Sequence, residues 1–101
     1  MEYNQKLKKL RDEIDLVDKY IYMSILKRFD ITNKIGNLKK EHGVSEMSEV
    51  RRKEILKKLK DWAIEDGLPV HLITSIYEMI LDTSTIEQTL IIHEKDIDYL
   101  P

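Results

Sequence analysis

From about Gln5 to Glu41, apolar residues recur at alternating spacings of three and four. One series reads Leu7, Ile14, Ile21, Arg28, Ile35, and the interleaved one reads Leu10, Val17, Ser24, Ile31, Leu38. This is a heptad seam kept for about five repeats, and it predicts one long helix. No Pro interrupts the stretch, its only Gly is Gly36, and Gly43 supplies a stop. A second stripe, Ile55, Leu56, Leu59, Trp62 and Ala63, predicts a helix from about Ser48 to Asp66, closed by Gly67. Pro69 suits the first turn of a third helix. That helix carries Val70, Ile73, Ile76, Tyr77 and Ile80, then Ser84, Gln88 and Ile91. The tail from His93 to Pro101 is polar and is expected to be irregular. The fold class expected is all-α, with residues 1–101 forming a single three-helix domain.

The first helix is too long for the domain it belongs to. Roughly 36 residues at 1.5 Å rise extend about 54 Å. A compact chain of this size has a radius of gyration of only about 13 Å. The helix therefore overhangs its own core, and its seam would lie exposed in a monomer. Pairing of two chains along their seams would bury it, so a homodimer is expected.

Composition agrees with helices and removes several function classes. The chain is 42% hydrophobic and 36% charged with three Gly and two Pro, too few turn formers for an all-β protein. Its 17 basic and 19 acidic residues leave a net charge of -2, which implies no general surface for nucleic acid. The absence of cysteine excludes disulfides, thiolate metal sites and cysteine nucleophiles. The opening MEYNQKLKKL lacks the apolar core of a secretory signal. No apolar run approaches the ~20 residues that span a bilayer. A soluble cytoplasmic protein is expected, with no membrane association.

The candidate chemistry lies where the stripes are broken. Arg28 occupies a seam position that calls for Leu or Ile, and a buried guanidinium needs an anion. An intersubunit salt bridge or register-setting role is one reading. A ligand carboxylate or phosphate held bidentately is the other. Arg11 and Lys39 flank the same seam about 42 Å apart along the axis, too far to meet at one small ligand within a chain. Arg28 and Lys39 are about 16 Å apart, so their long side chains could share a ligand. Antiparallel pairing would add Arg11 of the second chain; the plainer reading leaves Arg11 and Lys39 as solvated flanking charges.

Ser84 and Gln88 interrupt the third stripe four residues apart. They suit either the wall of a polar-ligand pocket or hydrogen bonds between helices. Arg51 and Arg52 open the second helix, where basic residues oppose the dipole unless an anion compensates; simple solvation is the alternative. His42, His71 and His93 have no metal-ligand spacing and read as surface residues. Asp12, Asp15 and Asp18 read as dipole complementation and solvation, and Trp62 as core. No Gly-rich phosphate loop or nucleophile elbow occurs.

The run L-R-D-E-I-D-L-V-D-K-Y-I, with L-K-R at 26–28 and L-K-K at 38–40, resembles the first helix of the all-helical chorismate mutases. The run I-L-D-T-S-T-I-E-Q is similar to that family's last helix, with Ser and Gln four apart. The resemblance covers about residues 5 to 92. It implies an intertwined dimer of three-helix subunits with two active sites built from both chains. It also implies a [3,3] rearrangement of chorismate, a small dicarboxylate, to prephenate without cofactor, metal or covalent intermediate. Arg28, and Arg11 of the other chain, would then bind the carboxylates. Lys39 and Gln88 would hydrogen-bond the ether oxygen, and Arg51 and Ser84 would complete the carboxylate pocket.

One departure bears on the substrate. The family usually has an acidic residue followed three later by Arg-Glu at the start of the second helix. Here the stretch is Ser48-Glu49-Val50-Arg51-Arg52. Arg52 stands where a Glu would accept the hydrogen bond of the C4 hydroxyl. Shifting the alignment by one residue puts Lys53 there instead, so the Glu is missing either way. W-A-I-E-D-G-L at 62–68 and R-F-D at 28–30 also resemble isochorismate-pyruvate lyases of the same fold, which lack that Glu; Ser84 follows the mutase pattern. A 4-amino-4-deoxychorismate mutase is a further option, although a cation at 52 disfavours an amino substituent. A non-catalytic helical dimerisation module is the remaining reading.

Overall fold

The computed structural model describes residues 2–93; Met1 and residues 94–101, with most of the expected irregular tail, lie outside them. The regular structure described is helical throughout: α1 (Glu2–Glu41), α2 (Glu49–Asp66) and α3 (Val70–Ile92). α1 begins three residues earlier than the seam predicts. Lys6 pairs there with Glu2 across 2.9 Å, an i,i+4 contact with the acid on the N-terminal side.

Both predicted glycine stops operate by the same geometry. Gly43 adopts φ 65 and Gly67 φ 74, the left-handed region where a Cβ is strained. Val44 N–H reaches back to the Lys39 carbonyl at 2.8 Å, and Gly43 N–H to that of Lys40 at 3.2 Å. Leu68 and Gly67 repeat this on the carbonyls of Ala63 (2.9 Å) and Ile64 (3.4 Å). These paired bonds satisfy carbonyls that a helix end would otherwise strand. At the other end of α2, Ser48 is the N-cap, its Oγ accepting from Arg51 N–H at 3.1 Å. Pro69 precedes the first helical residue of α3 rather than lying within it, and its carbonyl accepts from Ile73 N–H at 3.3 Å.

The chain divides into two compact units, one up to Ile31 and one from Thr32 onward. In the first, no described residue is buried; Leu7, Arg28 and Phe29 are half-buried. Leu10, Ile14, Val17 and Ile21 of the seam each keep more than half their surface exposed.

The second unit has a core. Ile55, Leu59 and Leu81 form its centre, with Leu56, Ile73 and Tyr77 packed around them. Ile55, Leu59 and Ala63 follow one another at i,i+4 and are the buried face of α2. Trp62, expected in the core, is 51% exposed. It lies about 60° around the helix from Leu59, at the edge of that face. There the Lys58 ammonium sits over its ring, 5.2 Å from the centroid. Where α1 enters this unit, the seam residues Ile35 and Leu38 are exposed, whereas Thr32 and Gly36 are buried. No helix among the described residues is long and apolar enough to cross a membrane.

Candidate active site

Gly36 sets the position of the site. A Cβ placed on it would meet Ile91 Cδ1 at 3.2 Å and Gln88 Cα at 3.4 Å. The missing side chain thus lets the last turns of α1 lie directly against α3. Lys39 stands three residues further along α1, on the same side of the helix. Its ammonium donates to Gln88 Oε1 at 2.8 Å. A lysine is donor-only, so the amide must turn its oxygen to it, leaving the Gln88 NH₂ as the group to serve a ligand. Lys39 and Gln88 are both half-buried, where donors are less screened than in water. The result is two adjacent donors able to converge on one acceptor.

The Lys39 ammonium also contacts Met47 Sδ at 3.6 Å, from the loop between α1 and α2. Beside Lys39 opens a cleft of about 360 Å³ lined by Leu38, Lys39, His42 and Val44. The His42 ring shares its Nδ1 with the Leu38 carbonyl at 3.0 Å.

The other expected site residues are placed as follows. Ser84 is buried, and its hydroxyl donates to the Ile80 carbonyl at 2.7 Å. Arg51 is the third residue of α2, with an exposed side chain 3.6 Å from Glu54. Arg52 turns inward: its Nη2 lies 2.9 Å from Asp82 Oδ1, tying the start of α2 to α3. In the other unit, Arg11 is exposed and Arg28 half-buried. Of the predicted residues, then, Lys39 and Gln88 are brought into direct contact, on α1 and α3 and 49 positions apart.

Three residues of this region do not stand out in the stripes. Gly36 is one; an isolated glycine within a long helical pattern is the signal that marks it, since such a residue usually has a packing reason. Met47 and Asp82 are the others. One lies in a loop and one on an exposed helix position, and neither breaks a periodicity.

The sequence matches the family model for Chorismate mutase type II over residues 10–89, a range that includes all the candidate residues from Arg11 to Gln88. No curated protein matches the chain significantly. The family match takes in most of the chain and accords with its all-helical, three-helix architecture. The protein belongs to the chorismate mutase type II family, and its activity is that of an isomerase acting on chorismate.

Proposed function

We propose that two chains pair antiparallel along the α1 seams and form two equivalent active sites, each drawing residues from both chains. Lys39 and Gln88 hydrogen-bond the ether oxygen of chorismate. Arg28, and Arg11 of the second copy, hold the two carboxylates, with Arg51 and Ser84 completing their binding. The observation that carries this reading is the 2.8 Å contact between Lys39 Nζ and Gln88 Oε1, which aligns a charged and a neutral donor side by side.

The chemistry asks for little more than that. In a [3,3] rearrangement the C–O bond of the ether breaks as a C–C bond forms, with no proton transferred and no nucleophile required. Negative charge grows on the ether oxygen as its bond to the ring stretches. Fixed donors aimed at that oxygen therefore gain strength in the transition state relative to the bound substrate. Clamping both carboxylates holds the flexible side chain over the ring, in the compact chair from which the new bond forms. The exposed apolar seam supports the pairing, since each Leu or Ile buried there contributes about 1.5–3 kcal/mol.

Complementation tests the shared site. Arg11→Ala and Lys39→Ala chains are each expected to be nearly inactive alone. Mixed, unfolded and refolded together, they form heterodimers with one intact site and one doubly defective site. Random pairing makes half the dimers mixed, so turnover should return to about a quarter of the wild-type value. No recovery from a mixture that does form heterodimers would show that Arg11 and Lys39 serve one chain's site. Running the assay on isochorismate as well, with release of salicylate and pyruvate as the readout, distinguishes the lyase reading. That reading rests on the missing Glu at position 52 and on the stretches at 62–68 and 28–30.

A further inference from the structure

We propose that Met47 is a positioning residue for Lys39, its thioether fixing the direction in which the ammonium presents its remaining N–H. The inference rests on the reading of Lys39 as a donor to the ether oxygen. The turn that ends α1 also delivers Met47. Lys39 gives its carbonyl to Val44 N–H at 2.8 Å, Gly43 takes φ 65, and the chain doubles back. Between Glu41 and Arg51, Met47 alone is not exposed. Its sulfur comes to 3.6 Å from the Lys39 ammonium, which also donates to Gln88 Oε1 on α3 at 2.8 Å.

An ammonium has three N–H bonds in tetrahedral array. Gln88 Oε1 takes one and Met47 Sδ a second, so the third has a fixed direction. The identity of the second acceptor matters. A carboxylate or amide oxygen would bind its proton strongly and draw the ammonium away from a ligand. A thioether is a weak, polarisable acceptor; it restrains rotation while leaving most of the positive field to act on the reacting oxygen.

Two substitutions in the full-length protein separate these effects. Met47→Leu keeps the apolar bulk but removes the acceptor; kcat should fall roughly three- to tenfold with KM little changed, because the lost alignment matters most in the transition state. Met47→Gln replaces a weak acceptor with a strong one and should lower kcat further, by more than about tenfold. A spectroscopic readout accompanies the kinetics: the ¹⁵N-resolved ammonium signal of Lys39, assigned by its loss in Lys39→Ala, in ligand-free protein. It should shift and exchange faster with water in Met47→Leu. A signal that does not move overturns the proposal, as does a signal that moves while kcat stays at the wild-type value. The catalytic reading fails separately. Wild-type protein that does not turn over chorismate, yet shows the Lys39 shift, would remove the role of Lys39 and with it that of Met47; normal turnover with an unmoved signal removes only that of Met47.

Discussion

Up to Ile31 the chain is a helix in which no described residue is buried, although Leu10, Ile14, Val17 and Ile21 repeat along it as regularly as a core would require. From Thr32 onward, similar periodicities end in a packed centre of Ile55, Leu59 and Leu81. Both regions state in sequence that a face must be covered; only the second covers one with its own residues. The contrast extends to what makes the close contacts. At α1 in the second region, the buried positions are Thr32 and Gly36, while the large seam residues Ile35 and Leu38 stay out. A helix there presents two faces at once, a small-residue face that packs within the chain and an apolar face that does not. Under the proposed pairing, the second face continues the exposed seam of the first region, so one helix serves fold and assembly from different sides.

The sharpest way to break this comparison is a charge in the first region. Matching Arg11 of one copy to the stretch between Arg28 and Lys39 of the other centres the helix crossing near Ile21. Ile21→Asp would therefore bring two carboxylates close together and desolvate both. The expected result is loss of the dimer by light scattering, reduced helicity by circular dichroism, and turnover lowered by at least about a hundredfold. Tyr22→Asp, one residue off the seam and on a side chain already 68% exposed, should change none of these appreciably. A dimeric, active Ile21→Asp protein would mean that the exposed face of this region is not what pairs.

The second region should be sensitive to added volume rather than to charge, and Gly36 is the place to ask. Gly36→Ala places its methyl 3.2 Å from Ile91 Cδ1, the end of a side chain that can swing aside. Alanine also gains about 1 kcal/mol of helix propensity over glycine, so stability should stay near the wild-type value. Gly36→Val adds two branches against the backbone at Gln88, whose Cα lies only 3.4 Å from the new Cβ. It should cost about 1–3 kcal/mol in urea denaturation. It should also lower kcat roughly tenfold by moving Gln88 away from Lys39, while light scattering still reports the assembly of the wild type. Equal kinetics for the two variants would show that the α1–α3 approach does not set the Lys39–Gln88 contact.

What the sequence made legible follows from the range of each interaction. Gly43 and Gly67 end helices through bonds to residues at most five positions away, and both stops were readable. The exposure of Ile14 and Ile21 followed from helix length alone. Lys39 and Gln88 were readable because each breaks or flanks a stripe, although their meeting depends on Gly36, which large-residue periodicity passes over. Leu81 fell outside the stripe drawn through Ile80 and Ser84 yet is a centre of the core. Trp62 fell inside its stripe yet is exposed, because a stripe gives an angle and not the width of the face the neighbour covers. The Arg52–Asp82 pair joins two helices through charges far apart in sequence, and Asp82 breaks no periodicity. Nothing local distinguishes such a pair.

That pair gives the smallest effect and the most specific one. By the resemblance, Arg52 stands where the family usually has a Glu, which suggests Arg52→Glu as a restoration. The structure changes the expected result. Glu at 52 would lose a 2.9 Å ion pair and face Asp82 with like charge. Asp82 is 67% exposed and Arg52 27%, so solvent screens much of that interaction. The cost should be at most about 1 kcal/mol, measured by urea denaturation, and smaller in high salt. Any gain in chorismate turnover from the new carboxylate would then be offset by its displacement from Asp82. Combining Arg52→Glu with Asp82→Arg removes the conflict, since a guanidinium on α3 can hold the carboxylate on α2 in place. The double variant should recover the lost stability. If position 52 reads the ring hydroxyl, it should also turn over chorismate a few-fold faster than the wild type, the scale of one added hydrogen bond. Recovered stability with unchanged turnover would assign Arg52 to joining α2 and α3, and would move recognition of the hydroxyl to another residue.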